Sequence, residues 1–489
     1  MIVMRGIILI WIYNILTFIV MATSITFGGR SAFYDSNTNT WLCSVPQALF
    51  GHDWTTILSL DNTEQWSLVT LDQQPIGSDS LVTFSDISGE RQYLLTTVDT
   101  IGQSVTYPIY FTYLPILKLQ GDFNNYYQIS PIKVALPNTT TQTMLARVKH
   151  RGATTNLPSR NKHNYHIKFI NPSDSSKMNR RFFGLRNDNS WLLDAGQVDM
   201  VRIRNRIATE LWLDMGAKPY YADREPDAML GVRGDMVEVF VNDRYNGIYA
   251  LTEALDRKQM KLAKYEEPDS VHAGVFHGML WKSKLSTDIS LMRRDHYYNN
   301  NDSTWYGIEV KYPDPDDVMP TDFSMLAQAI RFVINSSNSE FVDQIDRYFD
   351  IPVIMDYWIL INALLAVDNG SKNIYWAIYD QQVDTKLTLA AWDLDCTLGQ
   401  NWNNEQLHDA PNVQPNKNLS YFNQLLVRLH ETNPDSFCIK TVERYRLLRN
   451  TLLNADNIYN RFESRIDWLM RSGAIARETA RWTGDTDLA

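Results

Sequence analysis

Acidic and amide side chains gather at the ends of apolar runs between Ile351 and Gly399. Asp368 and Asn373 stand five positions apart in Asp368-Asn369-Gly370-Ser371-Lys372-Asn373. Asp393 and Asp395 follow in Trp392-Asp393-Leu394-Asp395-Cys396-Thr397-Leu398-Gly399. Metal-assisted phosphoryl transfer needs a carboxylate that orients an acceptor hydroxyl, an amide and a further carboxylate on a divalent cation, and cations on the phosphates. The Asp-x-x-x-x-Asn spacing equals that of the protein-kinase catalytic loop, without the His-Arg that precedes that aspartate. Asp393 or Asp395 would stand where the kinase metal aspartate follows the next hairpin.

The elements that must position these groups are legible around them. Residues 351–367 form a mostly apolar run with Pro352 near its start, as a buried helix requires. Residues 374–379 and 387–391 read as two strands separated by a turn. Helix, polar loop, hairpin and acidic loop in that order bring Asp368, Asn373, Asp393 and Asp395 to the ends of one hairpin.

Upstream, residues 143–149 and 162–169 alternate in type as strands do, joined through Arg151-Gly152-Ala153-Thr154-Thr155. A loop with Gly152, two hydroxyls and flanking Arg151 and Lys162 can offer N–H groups and cations to phosphates. An ordinary hairpin with solvent-facing basic residues is the competing interpretation. Residues 198–215 carry a broad apolar face that stops at Gly216, which predicts an amphipathic helix. Residues 237–241 and 249–251 flank Asn242-Asp243-Arg244 and predict a β-hairpin, with Glu253 just beyond it. Glu253 is placed either near a nucleotide or in solvent at the strand end.

Other chemistries compete for the same residues. Asp393-Leu394-Asp395-Cys396-Thr397 matches the Asp-x-Asp-x-Thr nucleophile pattern of haloacid-dehalogenase phosphatases. Residues 421–451 and 458–479, however, read as helices without the strand–helix alternation such a domain continues with. A glycosidase would set two carboxylates across a carbohydrate cleft, whereas two Asp at one strand end beside an Asp/Asn loop look like a metal clamp. His150, His163, His166, His272 and His277 form no His-x-x-x-His or His-Glu-x-x-His, and Gly-x-Ser-x-Gly is missing.

The 489 residues suggest about three structural units. With 44% hydrophobic and 21% charged residues, the chain as a whole is neither disordered nor a multispan membrane protein. A net charge of −10 argues against a nucleic-acid binder with a broad basic surface. Cys43, Cys396 and Cys438 lack Cys-x-x-Cys spacing, which excludes a disulfide scaffold and a cysteine-built zinc site. A basic start, an apolar run over residues 6–21 and the small residues Ala22-Thr23-Ser24 read as an export signal, or as a short anchor if it is not cleaved. Residues 25–140 hold short β-type runs at 81–84, 93–98 and 107–113, and predict a sandwich-like all-β domain.

Taken in order, these blocks resemble the spore-coat CotH-type kinases, a family of secreted atypical protein kinases. The resemblance spans about residues 143–482. It rests on Arg151-Gly152-Ala153-Thr154-Thr155 with Lys162 and Tyr165, Arg204-Asn205-Arg206-Ile207-Ala208, and residues 241–249 through Glu253. It continues with Leu280-Trp281-Lys282, Asp368 through Asn373-Ile374-Tyr375, and Trp392-Asp393-Leu394-Asp395 with Gly399. Ala153-Thr154-Thr155 stands where Asn-Ser-Ser is usual, His163 replaces a second lysine, and Ala391 replaces proline before the Trp-Asp block.

The resemblance implies an α+β chain in which an all-β domain precedes a two-lobed kinase-like domain, with an N-lobe over 141–284 and a C-lobe over 285–489. It also implies ATP with Mg²⁺ or Mn²⁺ and phosphorylation of Ser or Thr on exported or surface proteins. Asp368 would be the catalytic aspartate, and Asn373 with Asp393 or Asp395 would be the metal ligands. Arg151, Gly152, Lys162 and Glu253 would lie on the nucleotide. The chain would work outside the cytosol, touching a membrane only through its N-terminal segment. The alternative is a non-catalytic surface assembly or adhesion protein built on the same scaffold.

Overall fold

A computed structural model describes residues 24–61, 63–77, 79–157, 159–403 and 422–484. The apolar N-terminal run read as an export signal or anchor therefore lies outside the described residues. The described residues fall into two compact units: those up to 113 with 135–141, and 114–134 with those from 142 onward.

The first unit is all-β. It comprises β1 (Ile25–Phe27), β2 (Arg30–Asp35), β3 (Thr40–Ser44), β4 (Trp54–Leu60), β5 (Trp66–Leu71), β6 (Gln74–Ile76), β7 (Ser80–Phe84), β8 (Tyr93–Asp99) and β9 (Ser104–Thr112). They hydrogen-bond in the order β6-β5-β8-β9-β3-β2-β1-β4-β7. Buried and open residues alternate along β7 and β8, as one inward face demands. Phe84 of β7 meets Phe111 of β9 with ring centroids 4.9 Å apart, and Phe27 of β1 meets the same ring at 5.5 Å. Strands distant in sheet order thus share one core, so the expected all-β domain is built from one sheet that curls over itself.

The second unit begins with a closed barrel. Its strands are β10 (Ile116–Leu119), β11 (Gln128–Ala135), β12 (Gln142–Arg151), β13 (Asn164–Ile170), β14 (Ser190–Asp194), β15 (Gly234–Val241) and β16 (Arg244–Glu253). The order is β10-β11-β12-β13-β14-β16-β15, closed by parallel pairing of β10 with β15. The β15–β16 turn puts Asn242 and Asp243 at φ 51° and 59°, the left-handed pair that the twist of a tight hairpin favours. Helix α1 (Arg204–Met215) starts later than the apolar pattern suggested. Arg202 takes φ 63°, and the Asp199 carboxylate accepts from the N–H groups of Val201 and Arg204, so a turn occupies the first residues.

After a short α2 (Arg257–Met260) comes a five-stranded sheet of β17 (Met279–Ser283), β18 (Thr304–Trp305), β19 (Ile308–Tyr312), β20 (Ile374–Ile378) and β21 (Thr388–Ala391). Its order is β18-β19-β17-β20-β21, so it takes strands from both sides of residue 284. Among the described residues, helices α3 (Ser324–Asn335), α4 (Asn338–Tyr348), α5 (Ile351–Ala363), α6 (Gln424–Thr432), α7 (Phe437–Arg449), α8 (Ala455–Arg471) and α9 (Ala474–Arg481) also belong to the unit. In α5, Pro352 sits in the first turn, where its missing N–H costs nothing. The interior of α5 is buried, including Val353, Ile354, Tyr357 and Leu360. The chain is thus α+β with an all-β N-terminal region. No helix among the described residues is long and apolar enough to cross a membrane.

Candidate active site

Asn373 and Asp393 close the open end of the β20–β21 hairpin, where Ile374 pairs with Ala391. The Asn373 carbonyl accepts from Trp392 N–H at 3.1 Å, and its own N–H donates to Ser283 O at 2.8 Å. Both Asn373 and Asp393 hold φ 58°, a left-handed conformation that asparagine and aspartate tolerate better than larger side chains. The backbone is thereby turned at the two positions where polar side chains leave the sheet.

Asp368 arrives from the end of α5, across a turn in which Leu365 is left-handed. Tyr357 O–H donates to Asn369 O at 2.6 Å and Asn369 Nδ2 donates to Trp392 O at 2.8 Å, which ties this turn to the acidic loop. Asn373 Nδ2 donates to Asp368 Oδ2 at 3.0 Å, and Lys372 Nζ pairs with Oδ1 at 2.8 Å. Burial raises the Asp368 carboxyl above its ordinary value, with Asp393 adding to the rise and Lys372 and Asn373 opposing it. A carboxylate held this way is a stronger base than a solvated one.

Asp368, Asn373, Asp393 and Asp395 all line one cavity of about 520 Å³, together with Asp194 from the end of β14. Burial raises the Asp395 carboxyl well above its ordinary value, and Asp393, Asp194, Asp199 and Asp368 push it further. Asp393 stands open to the cavity. The enclosing walls raise its carboxyl too, with Lys282 the leading opposing charge and Asp194 adding to the rise. Asn205, in the first turn of α1, donates from Nδ2 to Asp194 Oδ2 at 2.7 Å and accepts at Oδ1 from Leu394 N–H at 3.0 Å. One amide therefore holds the barrel edge to the acidic loop.

The opposing charge comes from Arg151 and Lys282. Arg151, at the end of β12, lies 5.4 Å from the Trp392 ring centre. Lys282, on β17, lies 5.6 Å from the centres of both Tyr375 and Trp392. Burial brings the Lys282 ammonium down to about 8, with Asp393 supporting the charge and Arg151 and Lys311 opposing it. Gly152, at φ 97°, begins the loop over the cavity, and a Cβ there would collide with the Thr155 hydroxyl. On the rim, Glu309 pairs with Lys284 at 2.7 Å and Lys311 at 2.6 Å.

Two residues expected on the nucleotide do not face this cavity. Lys162 is fully buried, its Nζ donating to Ile248 O at 2.7 Å and pairing with Glu478 at 2.8 Å. Glu253 is also fully buried and accepts from Arg186 N–H, Arg233 and Gln259 Nε2. None of these partners lines the cavity, whereas Asn164, Ala254 and Leu255 close by in sequence reach its wall. Asp194, Asn205 and Lys282 were not singled out from the sequence. A lysine in an apolar strand and an aspartate at a strand end both read as solvated, although Asn205 and Lys282 sit inside the blocks that carry the family resemblance.

Among the described residues, no three His, Cys, Asp or Glu side chains meet as a closed metal-binding group. The donor chemistry nevertheless fits a hard divalent cation. Asp393 and Asp395 supply carboxylate oxygens, and Asn373, having given its N–H to Asp368, keeps its amide oxygen as a donor. Burial first and the neighbouring carboxylates second raise Asp395, and a cation bound here would favour its charged form.

No curated protein matches the chain. The sequence model of the family described as CotH kinase protein matches residues 148–485, well over half of the chain and inclusive of every residue of this cavity named above. The chain belongs to the CotH kinase protein family.

Proposed function

We propose that this chain is an ATP-dependent protein kinase that phosphorylates Ser or Thr hydroxyls on exported or surface proteins. The barrel would act as the nucleotide-side lobe, and the helical region with the five-stranded sheet as the acceptor-side lobe. The observation that carries this reading is the hydrogen-bonded Asp368–Asn373 pair sharing one cavity with Asp393 and Asp395, opposite Lys282 and Arg151. The apolar N-terminal run supports an exported location.

In this mechanism Asp368 accepts a hydrogen bond from the acceptor hydroxyl and takes its proton as that oxygen bonds to the γ-phosphorus and the bond to the ADP oxygen breaks. Lys372 and Asn373 hold the Asp368 carboxylate in place. Arg151 and Lys282 neutralise charge on the phosphate oxygens. Mg²⁺ or Mn²⁺, held by Asp393, Asp395 and Asn373, would supply Lewis-acid neutralisation of the phosphates when bound.

The test is incubation of the purified protein with γ-labelled ATP, Mg²⁺ or Mn²⁺ and surface proteins, beside the Asp368→Asn variant. Transfer that depends on Asp368 supports the reading. Equal transfer by the variant would remove the role of Asp368. Absence of both transfer and nucleotide binding would leave a non-catalytic assembly scaffold.

A further inference from the structure

Glu478, in the C-terminal helix α9, is fully buried and accepts from three groups of the barrel region. Lys162 Nζ donates at 2.8 Å, Arg202 Nε at 2.7 Å and Ile248 N–H at 2.7 Å. Gly247 takes φ 101° beside it, and a Cβ there would collide with Glu478 Oε2, so the backbone is shaped to admit this carboxylate. The same helix is fastened on either side. Arg477 pairs with buried Glu238 at 2.8 Å, and Trp482 Nε1 donates to Asn246 O at 3.1 Å.

The two cations on Glu478 belong to the segments that edge the cavity. Lys162 ends the loop that starts at Gly152, and its own N–H donates to Gln197 Oε1 at 3.1 Å. Arg202 donates to Gly196 O at 2.9 Å and Asp199 O at 3.1 Å, bracing the turn between β14 and α1. Between these segments, Asn164 Oδ1 accepts from Ala195 N–H at 2.6 Å. Thr155, Asn164, Asp194 and Gln197 then face the cavity. A continuous path of hydrogen bonds joins α9 to the cavity wall.

We propose that Glu478 is a positioning residue: through Lys162 and Arg202 it sets the two loops that shape the cavity on the barrel side, so the C-terminal helix governs nucleotide affinity without touching the nucleotide. This deepens the kinase reading and rests on it for the affinity statement, while the ordering of the loops stands independently. Two cations share one buried carboxylate, and removing it takes away the charge with which both of them pair. Burial already brings the Lys162 ammonium down to about 7. Glu478 and Asp194 support its charge, Arg202 opposes it, and the uncharged Tyr249 ring lies 4.9 Å away.

The experiment measures amide hydrogen exchange over residues 152–157 and 195–202, with ATP affinity by titration, in the full chain and two variants. Glu478→Gln should speed exchange in both segments and weaken ATP binding roughly threefold to thirtyfold, the usual span of coupling through a positioning path. Lys162→Met leaves Glu478 matched to Arg202, so it should keep the fold and speed exchange in the first segment only. If Glu478→Gln does not fold, Lys162→Met alone decides. Unchanged exchange at 152–157 in a folded Lys162→Met protein overturns the proposal, as does loosening of α9 alone in Glu478→Gln. Faster loop exchange in a protein whose wild type binds no ATP would support the positioning role while removing the kinase reading.

Discussion

Asn205 accepts the backbone N–H of Leu394 at 3.0 Å from a position 189 residues earlier in the chain. Leu394 separates Asp393 from Asp395, and the other end of the same amide holds Asp194. One side chain thus ties the acidic loop to the edge of the barrel.

Replacing Asn205 by alanine should therefore lower stability by about 1–3 kcal/mol, the cost of stranding a buried donor. Phosphoryl transfer should fall further than stability accounts for, since Asp393 and Asp395 would lose their register. Urea denaturation and initial rates measure the two effects, and a variant with wild-type rates would contradict the arrangement.

Asp368→Asn should reduce turnover on the order of 10²- to 10⁴-fold, the contribution expected of a general base. The amide is nearly isosteric and keeps one oxygen to receive a hydrogen bond, so the fold should persist. Circular dichroism alongside the kinetic assay separates loss of chemistry from loss of structure.

Lys282→Met should raise the KM for ATP by roughly 10- to 100-fold, the worth of a charge-assisted contact to phosphate. Methionine preserves the length that packs beside Tyr375 and Trp392. The corresponding Lys162→Met change should act less directly, because that ammonium is spent on Glu478 and Ile248.

Asp395→Asn should stabilise the metal-free protein by about 0.5–2 kcal/mol while abolishing the response to Mg²⁺, as substitutions that relieve functional strain tend to do. Repulsion from Asp393, Asp194, Asp199 and Asp368 is removed with the charge. In the wild type, ATP with Mg²⁺ at about 100 times its Kd should add roughly 2.7 kcal/mol. Thermal shift assays with and without ligand read both numbers.

Glu309 supplies a pH signature. Burial alone would raise its carboxyl, yet Lys311 and Lys284 outweigh that and bring it from 4.5 down to about 2. A carboxylate with a depressed folded value contributes stability that is present above pH 4.5 and lost as pH falls toward 2. Because the two lysines are one-third to one-half exposed, solvent screening leaves about 1–2 kcal/mol. Denaturation midpoints across that window should flatten in Glu309→Gln.

The strands around the site and the Asp368–Asn373 pair were legible because their signals are local. Five positions of sequence specify the pair, and alternation specifies β12 and β13. The buried pairing of Lys162 was not legible, since its partners lie 86 and 316 positions away and no local pattern announces them. Lys282 was hidden for a related reason: only the pairing of β17 with β20 sets it opposite Asp393, through Lys282 against Tyr375. The barrel itself was not legible, because it closes through the parallel pairing of Ile116 with Glu238, a crossover that no local pattern announces.

That crossover bears on how the molecule can be divided. Residues 114–134 belong to the second unit although both flanking stretches belong to the first, so the polypeptide passes between the units three times. A fragment cut to the family match at 148–485 would lack β10, β11 and most of β12. Its seven-staved ring would open, baring the rims of β15 and β13 to any neighbouring chain. Protein made from such a fragment should aggregate or fall silent for reasons unconnected with its chemistry, whereas the intact chain keeps the ring closed.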